Sequence, residues 1–316
     1  MEKFKSIISA LLITAAVTGM AGCGSGSPAG KSDSVNMREM IGELYATSTE
    51  MGLDGKYQSV SEITDGFIDK DIIGKWVSHD GEYSYAYADD GTTSVVYPAY
   101  DVNETTTFTC ISAGDRKLIC EDSVMTENSD GVETTTSVVT FSSYKVVGDT
   151  LYMMMVDELD EWTSSTYSTL ITLYRADEAG NTAASVAGSV ISPETFYGEW
   201  SNDEGVSLII DENGMTVNGA PESVGGDPLA MTLNDKGNIV ITAGGVSTEY
   251  SFTYSLNRTY TSDQPKTVEK EAYGLNLFYT GADENDRPNL ADIMTDWHNE
   301  YGSEQFRFSV NLSCAK

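Results

Sequence analysis

The spacing of hydrophobic positions changes along this chain. Ile7 to Val17 is an apolar run broken only by Ser9, Thr14 and small residues. It is too short for a membrane-spanning helix, which takes about 20 apolar residues. Over residues 36–51, Met37, Met40, Ile41, Leu44 and Tyr45 recur at helical spacing and predict a short amphipathic helix. From residue 71 the period becomes two. Tyr83, Tyr85 and Tyr87 alternate with Ser84 and Ala86, and Asp89-Asp90-Gly91 reads as a turn before Val95-Val96-Tyr97. Phe108 and Cys110 share one face of the next strand. Val138–Phe141 and Tyr144–Val147, then Leu151–Val156, then Tyr167–Arg175 complete a first series.

Residues 177–192 are rich in Ala, Gly, Ser and Asn and read as a linker. A second period-two series follows. Val206–Ile210 and Met215–Val217 flank the turn Asp211-Glu212-Asn213-Gly214. Leu229, Met231 and Leu233 alternate, as do Tyr250, Phe252, Tyr254 and Leu256. Ile239–Ile241 and Leu275–Tyr279 are further strands, residues 289–300 read as a short helix, and Phe306, Phe308, Val310 and Leu312 form a last strand. Turns recur with no room for crossover helices, so the fold class is all-β, in antiparallel barrels or sandwiches. The predicted organisation is a signal peptide over 1–22, a tether over 23–35, a helical or irregular lead-in over 36–70, and β domains over 71–176 and 193–316.

An internal repeat marks the start of each β domain. Ile72-Ile73-Gly74-Lys75-Trp76 opens the first and Phe196-Tyr197-Gly198-Glu199-Trp200 the second. Each is two apolar residues followed by Gly-x-Trp. On these residues the chain resembles the lipocalin-like small barrels found singly and in tandem in bacterial lipoproteins. The resemblance implies that the tryptophan plugs the barrel base and that an arginine near the last strand packs over it. Arg175, in Thr172-Leu173-Tyr174-Arg175, fits that role in the first domain. The second domain ends Leu275-Asn276-Leu277-Phe278-Tyr279 without an arginine, and Arg307 from the extra strand is the candidate substitute. The family carries many roles, so the fold alone does not supply a function.

The N-terminus has the parts of an export signal: Lys3 and Lys5, the apolar run, then small residues. Met20-Ala21-Gly22-Cys23 resembles the lipobox of bacterial lipoproteins, with Met20 where leucine is usual. The resemblance implies cleavage before Cys23 and a diacylglyceryl group on its sulfur. Two acyl chains anchor stably where one does not. Gly24 to Ser34 has the Gly/Ser composition of a flexible tether. The expected location is the outer face of a bacterial cytoplasmic membrane.

Composition narrows the partners. With 49 acidic and 18 basic residues, the chain carries a formal charge of −31. That argues against nucleic acid and against lying flat on anionic lipid. It suits a solvated surface, with cation binding as the alternative. Export permits disulfides. Cys110 and Cys120 flank the turn Ala113-Gly114-Asp115-Arg116 and are either a disulfide across a hairpin or two separate buried thiols; Cys314 has no evident partner.

Catalytic chemistry is sparse. There is no Gly-x-Ser-x-Gly elbow, no phosphate loop and no His-Glu-x-x-His. His79 lies in a turn. Asp296, His298 and Glu300 are spaced so that they do not share a helix face, which reads as a solvated surface rather than a metal site. Asp283-Glu284-Asn285-Asp286 is oxygen-rich, but Arg287-Pro288 breaks the calcium-loop pattern. Asp157-Glu158 and Asp160-Glu161 read as a charged loop. No catalytic residue, metal or cofactor is expected. The leading expectation is a membrane-anchored, non-catalytic protein that binds a small apolar ligand or an envelope protein. The alternatives are a structural component of an envelope complex and, more remotely, a carbohydrate-active enzyme using those carboxylates. The stripe Tyr83, Tyr85 and Tyr87 either packs the core or holds a ligand, and Trp162 stands in a turn.

Overall fold

The computed structural model describes residues 34–316 apart from 79–80, 82, 98–101, 130–131, 178–190, 219–228, 235–236, 280, 282–287 and 297–307. The lipobox, residues 24–33 of the tether, most of the linker, both histidines, the 283–286 acidic run, Glu300 and Arg307 therefore lie outside the described residues. Two compact units divide the chain. Among the described residues the first comprises 42–182 with 261–267, and the second 34–41, 183–260 and 268–316.

Helix α1 (Met37–Leu44) and the single turn α2 (Ser48–Met51) fall in the predicted helical segment. Thr47 caps α2 by accepting from the Glu50 amide at 3.1 Å, and Gly52 ends it in the left-handed region at φ +65°. Thr47 starts this turn and Gly52 stops it, seven residues after α1 ends.

The first unit is a closed, eight-stranded antiparallel barrel. Its strands are β1 (Gly74–Val77), β2 (Ser84–Tyr87), β3 (Thr92–Tyr97), β4 (Val102–Ala113), β5 (Arg116–Ser129), β6 (Val132–Val147), β7 (Thr150–Met155) and β8 (Ser165–Ala176). Each pairs with the next, and β8 returns to β1 through Trp76↔Arg175 and its neighbours. Closure leaves no free edge. The two apolar stretches expected at 138–141 and 144–147 are one strand, β6. Ser142 and Ser143 do not turn the chain, because the Ser143 hydroxyl is buried and donates to the carbonyls of Leu44 and Met154.

Alternation sorts the barrel side chains into two cores. The inner one gathers Ile72, Trp76, Tyr87, Phe108, Cys110, Ile119, Tyr144, Leu151, Met153 and Leu173. The outer one lies between the barrel wall and the lead-in. Ala46, Leu53, Val60 and Ile63 cover Ile111, Leu118, Cys120, Val139 and Phe141 there. The segment before β1 is thus a packed cover as well as a connection. Buried Asp69 pins its end, accepting from Lys117 Nζ at 2.5 Å and from the Tyr144 hydroxyl at 2.7 Å.

The second unit comprises β9 (Gly198–Ser201), β10 (Ser207–Asp211), β11 (Gly214–Asn218), β12 (Ala230–Leu233), β13 (Ile239–Ala243), β14 (Val246–Tyr260), β15 (Val268–Tyr279), β16 (Thr295–Asp296) and β17 (Phe308–Ala315). Antiparallel pairing runs β9–β10–β11, crosses the bridge Met215↔Leu229 to β12, and continues through β13, β14 and β15 to β17. Strand β17 meets β9 at Ser313↔Ser201. Of the helix expected over 289–300, the described residues 289–296 hold one 3-10 turn, Ala291–Ile293, and residues 297–300 lie outside the described residues. Two contacts override helical spacing there. Asn289 is tied to strands β14 and β13 through Tyr250 Oη and the Ile241 carbonyl, and Thr295-Asp296 pairs with Ser309 and Phe308 of β17.

Candidate ligand site

The Gly-x-Trp motifs build two floors with the same bonding. Trp76 and Trp200 are fully buried. The Trp76 indole N–H donates to the Ile72 carbonyl at 2.7 Å, and that of Trp200 to the Phe196 carbonyl at 2.6 Å. The acceptor is in each case the first of the two apolar residues before the glycine. A buried indole N–H left unbonded would cost about 1–3 kcal/mol, so the spacing has a physical cause. The glycines have one too. Gly74 and Gly198 adopt φ +129° and +137°. A Cβ at Gly74 would stand 3.0 Å from Arg175 Nη1, and one at Gly198 3.1 Å from Cys314 Sγ and 3.5 Å from Arg38 Nη2.

Arg175 stands over Trp76. Its guanidinium lies 4.2 Å from the Trp76 ring centroid and donates to the carbonyls of Ile73 and Asp71 at 2.9 Å. Over Trp200 the cation is Arg38 of α1, a residue that reading the strands did not single out. Its guanidinium stands 5.6 Å from the Trp200 centroid and 5.0 Å from that of Tyr273. It donates to the Tyr197 carbonyl at 2.5 Å and to the Tyr254 hydroxyl at 3.0 Å. Ile73 and Tyr197 precede the two motif glycines, so both arginines clamp the same carbonyl. This cation comes from the opposite end of the chain to Arg307, which lies outside the described residues.

Cys110 and Cys120 do lie on neighbouring strands of a hairpin, but they form no disulfide; they and Cys314 are free, buried thiols. The register explains it. Cys110 is opposite Ile119 and Cys120 opposite Thr109, an offset of one that sends the two sulfurs to opposite faces of the sheet. Cys110 joins the inner core and Cys120 the outer one. Burial pushes both thiols up, Cys120 to about 12.

Register also settles the tyrosine stripe. Tyr85 is opposite inward-facing Trp76, so Tyr83, Tyr85 and Tyr87 all point into the first barrel. They make a continuous aromatic wall. Tyr97 meets Tyr83 edge-on at 5.5 Å, Tyr83 meets Tyr85 at 6.5 Å, Tyr85 stacks on Tyr87 at 6.1 Å, and Tyr87 meets Phe108 edge-on at 5.0 Å. Tyr85, Val95, Thr106, Thr140 and Ile171 face inward by register yet remain partly exposed, so this part of the interior admits water.

Glu121 belongs to that wall. It is opposite Phe108 on β4 and Thr140 on β6, two residues along β5 from inward-facing Ile119. Its Oε1 is buried, as is Thr93 Oγ1 on β3, and the Thr93 hydroxyl is the donor beside it; neither atom has another hydrogen-bond partner. Burial pushes the Glu121 carboxyl up to about 7, while a hydrogen bond from the Thr93 hydroxyl pulls the other way. Burial raises the Tyr85 and Tyr87 phenols, and proximity to Glu121 adds to it. No regular feature of the sequence distinguishes Glu121 from the chain's many surface carboxylates. Its parity with Ile119 on one strand is the only local signal.

The acidic loop after β7 is organised differently. Asp157 accepts from the Ser168 hydroxyl at 2.5 Å, and Asp160 from the Thr163 hydroxyl at 2.7 Å and the Trp162 amide at 2.9 Å. These bonds order the loop itself. Compared with family models, with curated proteins and with solved structures, the chain finds no match.

Proposed function

We propose that this chain is an exported, lipid-anchored binding protein whose first barrel holds a small ligand. In this reading Cys23 carries the anchor, residues 24–35 are the tether, and both Gly-x-Trp units are lipocalin-like barrels in tandem at the outer face of a bacterial cytoplasmic membrane. The tandem reading is supported by two floors with matched bonding, each with a glycine at positive φ, an indole donating four residues back, and an arginine over the tryptophan. The observation that carries the ligand reading is the inward aromatic wall of Tyr83, Tyr85 and Tyr87 beside inward residues that water still reaches. Small-ligand sites are mostly apolar and aromatic with a few fixed polar groups. The second unit presents no comparable wall with an unpartnered polar group among its described residues.

The test is binding of Nile red, a neutral apolar dye, followed by fluorescence. Wild type enhances the emission, and Val95→Trp, which fills the interior beside Tyr85, abolishes the enhancement while circular dichroism stays native. Undiminished dye binding by the folded Val95→Trp protein places the dye elsewhere and removes the reading. A second reading rests on Trp162 and Tyr167, which are 78% and 71% exposed on β8 and the loop before it. Exposed aromatics of this size suit contact with a macromolecular envelope partner, and the same titration on Trp162→Ser separates the two.

A further inference from the structure

Given the binding reading above, on which this inference rests, we propose that the ligand of the first barrel is a small organic ammonium ion, its apolar body along the tyrosine wall and its cationic head on Glu121. A carboxylate buried without a cation beside it is costly, and such groups in native proteins call for an explanation. The other buried acid of the barrel, Asp69, has Lys117 and Tyr144. No described cation is paired with Glu121, whose neighbouring donor is the Thr93 hydroxyl, and the cations that face inward by register, Arg175 and Lys117, are bonded to other groups. Glu121 is therefore a receptor for positive charge that the chain itself does not supply.

The surroundings select the same chemistry. Tyrosine faces attract cations through the ring quadrupole, most strongly when the cation is desolvated. Tyr85 and Tyr87 lie near enough to Glu121 for its charge to be felt at their phenols. Glu104, opposite inward-facing Val95, adds a second carboxylate on the same face. The chain as a whole carries −31 and draws cations towards itself. An anionic ligand such as a fatty acid would set its carboxylate against Glu121. A bare divalent metal needs several oxygen ligands, and among the described residues no three His, Cys, Asp or Glu side chains are grouped to hold one. A monocation with an apolar body satisfies both the acid and the wall.

The experiment is isothermal titration of the whole chain at pH 8 with three probes of nearly equal shape: phenethylamine, phenethyl alcohol and phenylacetate. The amine is expected to bind at least about tenfold more tightly than the alcohol, and phenylacetate more weakly than either. Glu121→Gln is expected to erase the preference for the amine and leave the alcohol unchanged, whereas Tyr85→Leu weakens amine and alcohol together. Near-ultraviolet circular dichroism establishes that both variants are folded. Equal affinity of amine and alcohol for wild type, or an amine affinity unmoved in Glu121→Gln, overturns the ammonium assignment and leaves the binding reading standing. Failure of all three probes and of Nile red to bind the folded wild type overturns both.

Discussion

Replacing Arg38 with alanine tests whether a residue far from any strand of the second unit holds that unit's floor. The structure allows the cost to be worked out. The guanidinium stands over two rings, at 5.6 and 5.0 Å, and each such contact is worth about 0.5–1 kcal/mol when partly exposed. Arg38 also makes two charged hydrogen bonds, to the Tyr197 carbonyl and the Tyr254 hydroxyl. Bonds of this kind contribute about 1.5–3 kcal/mol when buried, and about 1 kcal/mol each is a fair discount for the water that reaches Arg38. The expected loss is about 3 kcal/mol, roughly a hundredfold in the opening equilibrium. Native-state hydrogen exchange reads it directly: amides of β9 and β17 exchange about a hundred times faster in Arg38→Ala. Arg38→Lys keeps the charge but not the planar fork, and recovers less than half of the loss. A cost below about 0.5 kcal/mol, or full recovery by lysine, refutes the clamp.

Three further outcomes follow from the same contacts. The Glu121 carboxyl sits at about 7 in the fold against an ordinary 4.5, raised by burial, with the Thr93 hydroxyl and the neutral phenols of Tyr85 and Tyr87 beside it. The folded protein therefore keeps a proton that the unfolded chain releases, and stability falls as pH rises from about 4.5 through about 7, by up to about 3 kcal/mol; in Glu121→Gln this component disappears, so urea midpoints rise at pH 8 and stay unchanged at pH 4. The thiols of Cys110 and Cys120 resist a disulfide-exchange reagent in the native protein and react once urea unfolds it, because burial disfavours their thiolates; fast labelling of either in the native state contradicts their burial. Cys23→Ser moves the protein from the detergent phase to the aqueous phase in phase partitioning, since the double acyl chain is the anchor, and unchanged partitioning removes the anchor proposal.

What local pattern carried, and where it stopped, follows from the range of each interaction. Period-two alternation placed Tyr85 and Trp76 on strands because a pleated backbone exposes its two faces in turn, a property that any five residues display. The Gly-x-Trp floors were legible for a related reason: the indole bonds a carbonyl four residues back, and the glycine is fixed by its own backbone angle. The pairing of thiols needed one more fact, the register between β4 and β5, and an offset of one residue separated Cys110 from Cys120. Arg38 lay beyond reach because its contacts, Tyr197, Trp200, Tyr254 and Tyr273, are all distant in sequence, and nothing in the helix α1 periodicity favours it over any polar position. Glu121 failed for the opposite reason. Alternation does assign it to the inner face with Ile119, but an acid at a core position is normally paired with a cation, and only the closed barrel reveals that no described cation answers it. A residue that breaks the rule for burial without a compensating partner is where a folded sequence departs from what stability alone would choose. In this barrel that departure sits against a wall of tyrosines, the arrangement that a bound cation would complete.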